Sequence, residues 1–294
     1  MNLVTRLDFD GIVSAVMIHE MEPVSGINFA DPKTLEEGGL LDILERGDII
    51  AHLPIHPDAG IWFHNHDTSH IDQRLLEKVK GKFGVAPSTA HQVYEYYKSP
   101  KLERYVPLVN VADKIGTANL TEEDILAPKD WMMVSYTLDP RFSQDHSFGM
   151  LIMDGIKGGK SAAEVLTIPQ VARRVELYKK DEERFLEELK KASKVMGNVI
   201  ITDFRELYQA PRGNRFRVFV EYPDGNVHLR IEAMPGFRTK VSVSRSIINH
   251  TCNVHIGHLM EEYGGGGMEG AGTCMVGKKA ADEKIVEIVK KLKG

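Results

Sequence analysis

The chain has 294 residues, 42% of them hydrophobic, and a formal net charge of −5. That is enough apolar material for two domain cores and too little positive charge for a binder of duplex DNA. Met1-Asn2-Leu3-Val4-Thr5 lacks the basic and apolar regions of a signal peptide and no apolar run reaches membrane-spanning length, which predicts a cytoplasmic protein with no membrane partner.

Met1 to Arg6 reads as a short apolar strand, and Asp10-Gly11 opens a helical pattern through Val13, Val16, Met17 and Met21, with Asp10 a candidate cap. Asp48 to Leu53 is a second buried strand, closed by Pro54 and Pro57, and Gly60 to His64 is a third. Helical periodicity follows from Thr89 to Lys98. Strands alternating with helices predict a parallel sheet, with ligands at the carboxyl ends of its strands, where Asp8, His52 and His64 to His66 fall. From Ile168 to Met196 one long charged helix is expected, its apolar stripe made by Val171, Val175, Phe185, Leu189 and Ala192 and its end set by Gly197-Asn198. Lys179 to Glu183 read as a solvated face of that helix. Beyond it, strands are expected at Val199 to Thr202, Phe216 to Tyr222, Val227 to Ala233 and Thr239 to Ser244, with a hairpin turn at Pro223-Asp224-Gly225-Asn226. The predicted class is α/β: a parallel-sheet N-terminal domain over 1–168, a helical connector over 169–197 and a smaller α/β domain over 198–294. Cys252 and Cys274 lack metal-finger spacing and read as buried reduced thiols.

Asp8 and Asp10 lie on one side of an extended segment, an arrangement that suits a hard cation or, equally, a helix cap beside a surface acid. Phe63-His64-Asn65-His66-Asp67-Thr68-Ser69-His70 gathers three histidines and an acid after a strand. Imidazoles there serve metal ligation or proton transfer, or simply form a solvated polar loop. Asp113 sits in an apolar setting and needs a partner: a helix cap, Lys114 or a metal. Tyr263 to Gly272 is glycine-rich, so its backbone amides can approach an anion unobstructed. Arg245, ending the strand Val241 to Ser244, can clamp a phosphate or make a surface ion pair.

The order of these segments resembles that of the DHH phosphoesterase superfamily, which includes nanoRNases and exopolyphosphatase-like proteins. The similarity rests on Thr5 to Gly11, Trp62 to His66, Ala112-Asp113-Lys114, Ser242 to Ser246 and the Gly264 to Gly272 loop, and covers nearly the whole chain. It implies a catalytic N-terminal domain with a dinuclear, often manganese, centre and a DHH-associated C-terminal domain that grips substrate. The sequence departs from the family pattern in several places. Arg6 stands where a metal-binding histidine is usual, Met268 where the glycine loop carries histidine, His64-Asn65-His66 where Asp-His-His is usual, and His52 where a bridging carboxylate is usual.

A neutral imidazole cannot bridge two cations, and Arg6 adds positive charge at the first metal position. The expected cofactor is therefore at most one divalent ion per chain, manganese first, with iron or zinc as alternatives. Its expected ligands are drawn from Asp8, Asp10, His52, Asn65 and Asp113. His66, Asp10 and His64 are the expected catalytic residues, and Arg6, Arg245, Gly265, Gly266, Gly267 and Met268 the expected substrate contacts. The resemblance implies a metal-dependent phosphohydrolase or phosphodiesterase acting on a nucleotide, a short single-stranded oligonucleotide or polyphosphate. A non-catalytic phosphoryl-ligand sensor is the alternative, and a homodimer is left open.

Overall fold

The structure, a computed structural model, describes residues 1–32, 44–139, 142 and 145–293. The chain forms two compact units, Met1–Leu120 with Ala127–Glu176, and Thr121–Leu126 with Leu177–Gly294.

The first unit is built on five parallel strands: β1 (Asn2–Thr5), β2 (Gly26–Phe29), β3 (Ile49–Ala51), β4 (Ile61–His64) and β5 (Lys80–Phe83). Their spatial order is β2-β1-β3-β4-β5. Side chains alternate across the sheet. Leu3, Ile49, Ala51, Ile61 and Phe63 face one core, which is covered by α1 (Phe9–Met21), α2 (Thr89–Tyr97), α3 (Val106–Gly116) and α4 (His146–Lys157). Val4, Ile50 and Trp62 face the opposite, smaller core. The chain leaves β1 toward β2 on one side and reaches β3 on the other, so the strand order reverses between β1 and β3. In open parallel sheets such a reversal is the point at whose carboxyl-end side ligands bind.

Asp8, not Asp10, caps α1: its side chain accepts the Gly11 amide, and Asp10 lies in the first turn. Only glycine fits at position 11, because a Cβ there would lie 2.1 Å from the Arg6 carbonyl oxygen. The helix start is thereby pressed against the end of β1. α1 is buried on nearly every side, which is why its apolar stripe is broad rather than sharp.

In the second unit the sheet order is β10-β11-β9-β8-β7-β6, formed by β6 (Ser193–Met196), β7 (Val199–Asp203), β8 (Val227–Met234), β9 (Arg238–Arg245), β10 (Gly266–Met268) and β11 (Ala271–Gly277). Only β7 and β8 run parallel. α5 (Pro169–Ala192) and α6 (Arg217–Glu221) pack Phe185, Leu189, Val218 and Phe219 against one face, through Ile200. α7 (Ile256–Glu261) and α8 (Ala281–Lys293) cover the other through Val199, Ile201, Leu229 and Ile231.

Three local expectations are corrected. The long helix stops at Ala192, because Ser193 to Met196 pair antiparallel with Thr202 to Val199 as an edge strand. The expected strand at Phe216 to Tyr222 is a short helix, held by an Arg217 to Glu221 ion pair of 2.8 Å one turn apart. Its alternating apolar residues mimic strand periodicity. Pro223 to Asn226 consequently joins a helix to a strand instead of turning a hairpin. Cys252 and Cys274 are free and buried. Among the described residues no helix is long and apolar enough to cross a membrane.

Candidate functional site

The β1 and β3 ends deliver Arg6, Asp8 and His52 to one point. His52 directly follows β3 and has φ 57°, a left-handed conformation that costs a non-glycine residue roughly 1–3 kcal/mol. Its amide donates to the Phe63 carbonyl at 3.0 Å, which holds the turn that aims the imidazole back across β1. There Nε2 meets Asp8 Oδ2 at 3.2 Å, and Nδ1 lies 3.1 Å from Asp10 Oδ2 and 2.9 Å from Thr89 Oγ1. Arg6 Nε completes the group at 3.1 Å from Asp8 Oδ2.

Both acids are also helix caps. Asp8 Oδ1 accepts the Gly11 amide at 2.9 Å. Asp10 accepts the amides of Thr89 and Ala90, at 2.8 and 2.7 Å, at the start of α2. Exposed helix amides carry partial positive charge and favour a carboxylate there. Thr89 Oγ1 in turn donates to buried Asn65 Oδ1 at 3.0 Å, so β4 joins the same network.

Burial raises the Asp8 pKa, but the charge and hydrogen bond of His52, with Arg6 and the Gly11 amide, overcome it and bring the carboxyl down to about 2. Burial likewise disfavours the His52 cation, yet Asp8 and Asp10 hold its pKa up at about 9. For Asp10 burial prevails, and the pKa is raised. The centre therefore alternates in charge from the Arg6 guanidinium through the Asp8 carboxylate to the His52 imidazolium, with Asp10 on the far side of the imidazole.

His64 stacks on Trp62 with centroids 5.0 Å apart, and meets His66 edge-on at 5.1 Å. Burial, then the neighbouring histidine cations, lower the His64 pKa to about 4, and its buried Nδ1 has no hydrogen-bond partner. His66 is exposed. Desolvation by the surrounding protein, then His52 and Arg6, lower its pKa too. Both imidazoles are neutral near pH 7 and keep a basic lone pair.

Asp113 stands apart from His52. It accepts Ser88 Oγ at 2.6 Å and pairs with His91 Nδ1 at 2.9 Å. Ser88, Thr89 and His91 were not singled out in the sequence, although Ser88 is an N-cap at the start of an expected helix, where orphan amides gather.

Among the described residues no group of three or more His, Cys, Asp or Glu is arranged to hold a metal ion. The donor chemistry gives the reason. Each oxygen of Asp8 and Asp10 already faces a protein donor, and the His52 imidazole lies between the two acids. This arrangement does not fit a bound cation.

The remaining candidates belong to the second unit. Arg245 donates Nε to the Val254 carbonyl and Nη1 to Glu269 Oε1, both at 2.9 Å. The glycine run is not a free loop: Gly266 to Met268 form β10, an edge strand paired with Thr273 to Ala271. Gly265 donates its amide to the Met260 carbonyl at 2.9 Å. Cβ atoms at Gly265 and Gly267 would lie 2.1 and 2.2 Å from the Thr273 and Ala271 carbonyl oxygens, so the close pairing itself demands glycine. Space is open around Gly266, and Met268 is exposed.

No protein-family model matches the chain, and comparison with curated proteins gives no match. Solved structures do match. The pGpG-specific phosphodiesterase PggH from Vibrio cholerae is 29% identical with a TM-score of 0.83, over 99% of this chain and 98% of that one. The PF0399 DHH domain, a member of the s1p family of ribosomal proteins, aligns at 15% identity and TM-score 0.59 over 99% and 86%. RecJ from Thermus thermophilus, solved with Mn2+, aligns at 11% identity and TM-score 0.57 over 98% and 51%. The last two share the fold.

Proposed function

We propose that the chain is a phosphodiesterase of the DHH phosphoesterase superfamily acting on a short phosphorylated nucleotide, a guanylate dinucleotide first among them. The observation that carries this reading is the likeness to a pGpG-specific phosphodiesterase at 29% identity over 99% of the chain. The gathering of Arg6, Asp8 and His52 at the β1/β3 reversal, where ligands bind in open parallel sheets, supports it.

In this reading the phosphodiester lies against Arg6, whose two terminal nitrogens have no hydrogen bond or ion pair among the described residues and whose side chain is 42% exposed. Water attacks phosphorus, neutral His66 accepts the proton of the water, and the bond to the leaving ribose oxygen breaks as that oxygen takes a proton from solvent, so that a phosphate monoester and an alcohol are released. Arg6 and the His52 imidazolium offset the charge that builds on the phosphoryl oxygens. Asp8 and Asp10 are positioning residues that keep His52 charged and oriented. His64 braces His66 from beneath.

The engagement of every oxygen of Asp8 and Asp10 favours one second reading, a phosphoryl-ligand sensor without turnover. Incubating the full chain with pGpG, other dinucleotides and polyphosphate, with and without manganese, separates the two. Release of nucleoside monophosphates is expected. Saturable binding without product supports the sensor, and neither binding nor product removes both.

A further inference from the structure

A second cavity lies wholly within the C-terminal unit, between α8 and edge strand β6, with a volume of ≈ 390 Å³. It is in the size range of small-ligand pockets, roughly 300–1,000 Å³. The register that pairs Lys194 with Ile201 and Met196 with Val199 puts Lys194 and Met196 on the face covered by α8. α8 packs over β7 and β8 but leaves β6 uncovered. The floor between them is apolar: Ile201, Ile231, Ile285 and Val289, with Val286 at 53% exposure along the lip.

The charges are distributed unequally along this groove. One end is closed by Arg205, which pairs with Asp203 and Asp282, each at 2.7 Å. The other end carries Lys290 and Lys293, while Lys194, across from Ile201 and on the same face as Asp203, lies between the two ends. None of these three makes a hydrogen bond or ion pair among the described residues. Asp282, Val286 and Lys290 are spaced four residues apart and therefore share one ridge of α8, which runs from the closed acidic end to the open basic end. Lys293 reaches the β6–β7 turn, where its Cε would lie 3.7 Å from a Cβ at Gly197.

We propose that this groove binds a small organic anion with an apolar body, a medium-chain acyl carboxylate, with its head at Lys290 and Lys293 and its chain on the isoleucine and valine floor. Charge complementarity selects the occupant. Burying apolar surface gives about 25 cal/mol per Å², and unpaired ammonium groups favour an anionic head. No aromatic ring lines the cavity, so it offers no stacking platform for a nucleobase. Edge strand β6 carries Lys194, a charged side chain of the kind that protects an exposed edge from pairing with a second copy.

Calorimetric titration of the full-length protein with decanoate, below its micelle concentration, tests the assignment, with decylamine as the control of equal length and opposite charge. Saturable one-to-one binding of decanoate is expected, none of decylamine, an affinity about tenfold weaker in Lys290→Glu, and loss of binding in Val286→Trp, which fills the groove. Should Val286→Trp unfold, as read by circular dichroism, Lys293→Glu replaces it with the same tenfold expectation. Absence of saturable binding to the unaltered chain, equal binding of decylamine, or unchanged affinity in the variants overturns the proposal. A concentration-dependent dimer lost in Lys290→Glu assigns the groove to a second copy and overturns it equally.

Discussion

Asp10 Oδ1 accepts the backbone amide of Ala90 at 2.7 Å across 80 residues of sequence, and the adjacent Thr89 amide reaches Oδ2 at 2.8 Å. One carboxylate thus fastens the first turn of α1 to the first turn of α2. Removing a helix cap costs about 0.5–2 kcal/mol, and Asp10→Ala also leaves His52 with one acid fewer. The expected loss for Asp10→Ala in urea unfolding is roughly 2 kcal/mol, with Asp10→Asn losing less because its amide oxygen still accepts one helix amide. A loss within a few tenths of a kcal/mol for Asp10→Ala would show that the tie between helices does not bear on stability.

The Asp8 and His52 pair sets a pH window. Asp8 has its folded pKa depressed to about 2 from 3.8, so its stabilising contribution is present above pH 3.8 and is lost as pH falls through 2. His52 has its pKa raised to about 9 from 6.5, so its contribution is complete below pH 6.5 and disappears as pH rises through 9. Both describe one coupled ion pair, worth on the order of 2 kcal/mol. The pair's contribution to unfolding free energy is therefore flat between about pH 4 and 6.5 and falls on either side, while His64, with its pKa lowered to about 4, adds a separate decline below pH 6.5. His52→Gln should remove the alkaline decline; an unchanged alkaline limb in that variant would reject the assignment.

His66→Ala should lower kcat on the best dinucleotide by about 10²–10⁴-fold, the usual worth of a positioned general base, with little change in the unfolding midpoint because the residue is exposed. Unaltered turnover would exclude His66 from proton transfer.

Arg245 and Glu269 can be separated by their variants. Loss of a hydrogen bond to a charged ligand costs roughly 1.5–3 kcal/mol, so Arg245→Ala should weaken binding of a phosphorylated ligand to its own unit at least tenfold. Glu269→Ala, which removes only the ion pair, should leave affinity near the parent value. Equal losses in both would make Arg245 a support for the β10–β11 hairpin instead of a ligand contact.

Elemental analysis of protein purified without an affinity tag should return at most one divalent ion per chain. Two cations need shared anionic ligands to offset their repulsion, since unit charges already interact by about 4 kcal/mol at 4 Å with an effective dielectric of 20. The acids here instead face Arg6, His52 and helix amides. Two fully occupied ions would overturn the charge alternation described above.

The sequence by itself determined the α/β class and the parallel sheet, and carried the motif order that resembles the DHH phosphoesterases, because strand and helix periodicity and the order of short motifs are local properties of the chain. It also placed Arg6, Asp8 and His52 at strand ends, since residues just after an apolar run must lie at the edge of a sheet. Tertiary structure decided what these residues do to one another. The left-handed turn at His52, the capture of the α2 amides by Asp10 and the pairing of Asp113 with His91 all depend on the strand order β2-β1-β3-β4-β5. That order is a long-range choice, invisible in any window of sequence. The same reason explains the glycine run and Phe216 to Tyr222. Whether glycines make a loop or an edge strand, and whether alternating apolar residues make a strand or one helical turn, is settled by the partner each segment packs against.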